Sequence, residues 1–186
     1  MTIRLAYAGY LLSVSAALAN ALALIVLLAR RASDSGKDTG TAGDVLGLAA
    51  GPGYVLLVGL VGWWALKHLY NGAARDRSRG YCCFFLCGGG LLGFLLLAVV
   101  GLASTYMCGV MTMVEVGEDW VSEADIIVVA VSTALWLLAF IINALTCFRA
   151  HQAYRGKDEQ GLREAAADGR RQAAQSLLSD AQPEFP

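Results

Sequence analysis

The sequence predicts an all-α integral membrane protein, a four-helix bundle with its N- and C-termini in the cytosol. Two observations predict it. The first is a set of four long runs free of charged residues: Leu5–Ala29, Val45–Leu66, Tyr81–Val114 and Ile126–Phe148. About twenty apolar residues span a bilayer as a helix, and lipid offers the backbone no partner outside the helix itself. The second is the placement of charge. Arg4, the loop with Lys67, Arg75, Arg77 and Arg79, and the tail after Phe148 together hold eleven of the fourteen Lys and Arg residues. With four spans, these three segments share one side. Positive residues near membrane ends stay cytosolic, which makes that side the cytosolic one. The net charge of −1 conceals this polarity.

A four-span membrane domain is expected over residues 1–150, with spans at about 5–29, 45–66, 86–110 and 126–148. Ala17-Leu18-Ala19 has the form of a signal-peptidase site, but the apolar run continues to Ala29, so the first run reads as an uncleaved anchor. It carries Asn20 near its middle. Residues 30–44 are rich in Gly, Ser, Thr and Asp and read as an exposed loop. The second span contains Gly51-Pro52-Gly53, where proline removes a backbone bond and kinks the helix. It ends in Trp63, Trp64, Lys67, His68 and Tyr70, the aromatic and basic composition of a membrane–water interface.

The third run, 34 residues long, exceeds one crossing, so Tyr81–Phe85 reads as an interfacial lead-in to a span within about 86–110. Gly89 and Gly93 form a small-xxx-small pair that lets a neighbouring helix approach closely. The loop from Glu115 to Asp125 has five carboxylates and no basic residue, and reads as a solvated turn. The fourth span contains Asn143. Residues 151–186 form a polar cytosolic tail that is expected to be partly helical.

Little chemistry is on offer. No charged residue lies deep in any run, whereas transporters and proton relays usually carry buried ionisable groups. Asn20 and Asn143 are the strongly polar midspan groups. Asparagine in a span usually bonds another helix, so both read as packing residues. No nucleophile–base arrangement and no phosphate-binding loop stands out, so an enzyme is not expected. No cofactor is expected either, nor a metal, since no His/Cys cluster has ligand spacing. Cys82, Cys83, Cys87 and Cys147 sit near the reducing cytosolic side, which argues against a disulfide framework. Cys82 and Cys83 are juxtamembrane candidates for S-acylation, with small apolar filler as the alternative. The strongest patch is Trp63–Arg79: Trp63, Trp64, Lys67, His68 and Tyr70, then Arg75, Arg77 and Arg79. Basic residues beside interfacial aromatics suit anionic lipid, phosphoinositides included.

At this patch the sequence resembles the secretory carrier membrane proteins. The likeness rests on Gly51-Pro52-Gly53-Tyr54 in the second span and on Lys67, Leu69 and Tyr70 after it. Arg75-Asp76-Arg77-Ser78, the aromatic start Tyr81–Phe85 and the exit Ala153-Tyr154-Arg155-Gly156 extend it, with Arg163-Glu164-Ala165-Ala166 in the tail. His68 stands where that family has a proline, and Trp64 lies one place early. There is no Asn-Pro-Phe, so the family's adaptor recruitment through an N-terminal domain is not expected of this chain. The resemblance implies a non-enzymatic role in vesicular trafficking between Golgi, endosome and plasma membrane. Its expected partners are membrane lipids, fusion factors and other membrane proteins, further copies of the chain among them, and no nucleic acid. Two other readings stand beside it: an accessory structural subunit of a large membrane complex, and a small channel or transporter lined by Asn20 and Asn143.

Overall fold

The computed structural model of the chain describes residues 2–35, 42–75, 78–101, 106–112 and 123–180, with side chains described at 2–29, 46, 47, 49–73, 80–101, 106–112 and 123–156. Four long helices form there: α1 (Thr2–Ser35), α2 (Ala42–Arg75), α3 (Ser78–Val100) and α4 (Glu123–Asp180). Among the described residues there is no strand. Each helix is long and apolar enough to cross a membrane, over Thr2–Ala29, Ala49–Ala73, Gly80–Val100 and Glu123–Gly156. The protein is an integral, multi-pass membrane protein. The chain falls into two compact units, Met1–Phe148 and Arg149–Pro186. The first is the helical bundle, and the second is helical as far as Asp180.

Contacts at two levels show how the bundle runs. At one level, Asn143 of α4 bonds Gly9 and Ser13 of α1. There the Tyr10 ring of α1 lies over Gly62 of α2, and Cys147 of α4 lies against Gly88 of α3. At the other level, Gly51 of α2 touches Ala21 of α1, and both Asn20 and Thr133 bond the backbone that follows α3. The start of α1, the end of α2, the start of α3 and the late part of the α4 span therefore meet at one end. The helices run alternately up and down.

The inward-facing residues recur in alternating steps of three and four. They are Ala6, Gly9, Ser13, Ala16, Asn20 and Ala23 on α1, and Val58, Gly62, Ala65, Leu69 and Gly72 on α2. On α3 they are Tyr81, Phe84, Gly88, Leu91, Leu95 and Ala98, and on α4 Asp125, Val129, Ser132, Trp136 and Ala139. This spacing keeps one stripe facing the partner helices, as in left-handed bundles. Small residues make up most of the α1 stripe and recur on the other helices, because close backbone approach is what holds membrane helices together. Large side chains such as Leu22, Leu60 and Leu86 point outward instead. Trp136 is the largest fully buried side chain, with Phe94 at 6.1 Å in an edge-on arrangement and Tyr54 beyond it at 5.5 Å from Phe94.

The third apolar run does not form one continuous span. Helix α3 begins at Ser78, so Tyr81 and Phe84 are buried helical residues, and it stops at Val100. Gly101 ends it: its φ is +69°, and its N–H donates to the Leu97 carbonyl at 2.9 Å, the single-bond left-handed cap. A Cβ on Gly101 would lie 2.4 Å from the Gly109 backbone, and one on Gly109 would lie 2.5 Å from Gly101. Only glycine fits on either side of this crossing. Residues 106–109 are not helical, and Tyr106 has φ +53°. Irregular backbone at membrane depth persists only when protein groups satisfy it. Asn20 supplies them. Its Oδ1 accepts from the Cys108 N–H at 2.7 Å, and its Nδ2 reaches the Tyr106 carbonyl at 3.4 Å. The Thr112 hydroxyl donates to the Met107 carbonyl at 2.8 Å, and the Thr133 hydroxyl faces the Cys108 carbonyl at 3.2 Å. Asn20, expected to bond a second helix, thus takes this loop backbone as its partner. Asn143 does bridge helices: its Nδ2 faces Ala139 O at 2.8 Å, Ser13 Oγ at 2.9 Å and Gly9 O at 3.3 Å.

Candidate functional site

The site is built where the start of α1 meets the end of α2. On α2, Leu69 and Ala65 are buried against the bundle and fix the rotation of the last turns. Helical spacing then carries Trp63, Lys67 and Tyr70 onto one outward stripe, all three exposed. Trp64 lies beside them, also exposed, with its ring 5.5 Å from the half-buried His68 in an edge-on contact.

Helix α1 supplies the facing wall. Gly62 has no side chain, and the Tyr10 ring fills the space: a Cβ there would lie 2.8 Å from it. Tyr10 in turn meets Trp63, their centroids 6.4 Å apart. One turn earlier on α1, Ile3, Arg4 and Tyr7 stand opposite Trp63, Lys67 and Tyr70. Between the two helices, with Leu66 at its floor, is a groove of about 610 Å³. Neither Arg4 nor Lys67 has an ion pair or a hydrogen bond among the described residues. Two free cations thus sit at the rim of a groove walled by aromatic and aliphatic groups. The arrangement sets positive charge beside apolar and aromatic surface.

The other sequence-derived candidates fall in several places. Cys82 and Cys83 are exposed, free thiols on the outer face of α3, and Cys87 is half-buried. Pro52 is exposed within α2. Gly89 and Gly93 are exposed too, with open space where a side chain would go, so no described residue packs on them. Arg77 lies outside the described residues, and only the backbone of Arg75 and Arg79 is described, at the last turn of α2 and the first of α3. The two helices are drawn together beside them: a Cβ on Gly80 would lie 2.6 Å from the Gly72 nitrogen, and the Tyr81 ring covers Gly72.

Arg4 and Tyr7 were not among the site residues expected from sequence, where Arg4 served only to orient the chain. A signal was present. Arg4-x-x-Tyr7 and Lys67-x-x-Tyr70 are the same basic–aromatic couple at the same spacing, one near each end of the first helical hairpin. In an up-and-down pair, those ends are neighbours.

The family model described as SCAMP family matches residues 1–157 of the chain. No curated protein and no solved structure matches it.

Proposed function

This chain belongs to the SCAMP family, a family of membrane-trafficking proteins, and we propose that it acts in vesicular traffic as a non-catalytic, lipid-engaging bundle. In this reading the basic and aromatic end faces the cytosol in Golgi, endosomal or plasma membranes. The segment Trp63–Arg79 engages anionic lipid, phosphoinositides included, or a fusion factor that carries similar charge. The observation that carries the reading is the exposure of Trp63, Trp64, Lys67 and Tyr70 at the same end of the bundle as Arg4. Tryptophan and tyrosine settle at the headgroup level, and cations beside them are drawn to an anionic leaflet. The midspan amides argue against a solute pathway, since both Asn20 and Asn143 spend their hydrogen bonds on protein partners. Asn143 lines a cavity of only about 20 Å³, room for about one water.

The test is charge reversal. R75E/R77E/R79E should weaken binding of the purified chain to phosphoinositide-containing liposomes at least about 100-fold, at about fivefold per cation lost near the surface. Raising the salt should weaken wild-type binding in the same direction, because exposed charges are screened. Unchanged binding of the triple variant would remove the mechanism. Co-purification in fixed stoichiometry with one large assembly would replace it with a structural subunit role.

A further inference from the structure

We infer that the groove between α1 and α2 holds one anionic phospholipid, with its phosphate between Arg4 and Lys67 and an acyl chain along Tyr7, Trp63 and Leu66. This rests on the proposal that this end of the bundle faces the anionic cytosolic leaflet. It goes beyond that proposal by naming a bounded site, and by placing half of it on α1, outside the Trp63–Arg79 segment.

Three features of the groove select the occupant. Its volume, about 610 Å³ and open to the outer face of the bundle, leaves room for an acyl chain along the two helices. Its rim carries two cations that no described residue neutralises, so the head of the ligand must be negative. Arginine offers a fork that suits a phosphate, and lysine adds a point charge beside it. Below the cations, toward the middle of the helices, its walls are Tyr7, Trp63 and Leu66, while Ile3 and Tyr70 lie on the other side of the cations, nearer the helix ends. Tyr7, Trp63 and Tyr70 are each about half exposed, at 51%, 54% and 56%, although each is large enough to cover its neighbours. A water-soluble anion would leave the walls without contacts, and a zwitterionic phospholipid would bring its own cation beside Arg4 and Lys67. A phospholipid with net negative charge meets both.

The two couples also explain why the site needs the hairpin. Arg4 and Tyr7 on α1, and Lys67 and Tyr70 on α2, each lie one turn apart on one helix face. Either couple alone is an ordinary interfacial belt. Facing each other across the Gly62–Tyr10 contact, they close a groove.

The test uses the purified full chain in mild detergent, with native mass spectrometry and added phosphatidylserine or phosphatidylcholine of matched chains. The wild type should retain one phosphatidylserine per chain against a tenfold excess of phosphatidylcholine. R4Q and K67Q should each weaken retention about fivefold, and together about 25-fold. R4K, which keeps the charge, should stay within about threefold of wild type. R75Q/R77Q/R79Q should leave this retention unchanged while weakening attachment to liposomes. Equal retention of the two lipids, or a double variant that retains phosphatidylserine as well as wild type, would overturn the groove. If the triple variant alone loses the lipid, the groove falls and the loop proposal stands. If the groove behaves as described while the triple variant attaches to liposomes as wild type does, the loop proposal falls and the groove stands. A second measurement needs no variant: chain-brominated phosphatidylserine should quench tryptophan emission more than chain-brominated phosphatidylcholine, and equal quenching would overturn the site.

Discussion

Replacing Asn20 with alanine should destabilise the bundle more than replacing Asn143, although both are midspan asparagines. Asn20 is fully buried, and its Oδ1 is the acceptor at 2.7 Å for the Cys108 N–H, a donor outside any helix. Truncation leaves that donor without a partner in a region water does not reach, which costs about 1–3 kcal/mol. The same bond helps to hold Tyr106 at φ +53°, a conformation that itself costs about 1–3 kcal/mol for a side-chain-bearing residue. Asn143 is different. Its amide faces Ala139 O, which keeps its own helical donor, and Ser13 Oγ, which still donates to Gly9 O at 2.8 Å. Losing it removes a hydrogen bond between helices, worth about 0.6 kcal/mol on average in a membrane. Both changes truncate the same side chain, so the difference isolates the orphaned donor. Asn20→Ala should therefore exceed Asn143→Ala by about 1–2 kcal/mol, a factor of about 5–30 in the unfolding equilibrium. Reversible unfolding in mixed micelles with increasing dodecyl sulfate measures this. Amide exchange at Cys108 should quicken in the Asn20 variant alone. Equal destabilisation by the two variants, or an unaltered Cys108 amide, would show that Asn20 does not hold the loop backbone.

Two further outcomes follow from the packing. Gly101→Ala puts a Cβ 2.4 Å from the Gly109 backbone at a positive φ, and should cost more than about 3 kcal/mol or prevent folding, whereas Gly53→Ala enters open space and should be neutral or slightly stabilising in the same assay. Under native conditions a maleimide should modify the exposed Cys82 and Cys83 quickly and the buried Cys108 only after unfolding, as followed by intact mass; early loss of the Cys108 thiol would contradict the fold around it.

The spans were legible because their signal is physical and long-range: twenty or more residues without charge have few places to go but lipid. Which face of each span turns inward was not legible. In water a helix shows its core by hydrophobicity, but here Leu22 and Leu60 face out as apolar groups while Ser13, Asn20 and Ser132 face in. On α1 the inner stripe is written in small and polar residues at steps of three and four, visible in retrospect from Ala6 through Ala23. The excess length of the third run was legible, and its use was not. The break comes at Gly101, and nothing local ties that glycine to Gly109 or to Asn20, 88 residues from Cys108 in sequence. For the candidate site, the α2 half could be read from Trp63, Lys67 and Tyr70 alone. The α1 half could not, because Arg4 and Tyr7 gain meaning only beside them. Gly89 and Gly93, read as a packing pair, face away from their own bundle.

The trafficking proposal turns on which way the bundle faces: the end bearing Arg4, Lys67 and Tyr70 meets the cytosol. The direct measurement is epitope accessibility at residues 1 and 186 and within the acidic stretch 115–125, in cells whose plasma membrane alone has been opened with digitonin. Antibody should reach both terminal tags in the opened cells, and should reach the acidic stretch only after internal membranes are dissolved or from outside the cell. Terminal tags found on opposite sides, or an acidic stretch that is reached together with them, would contradict the claim.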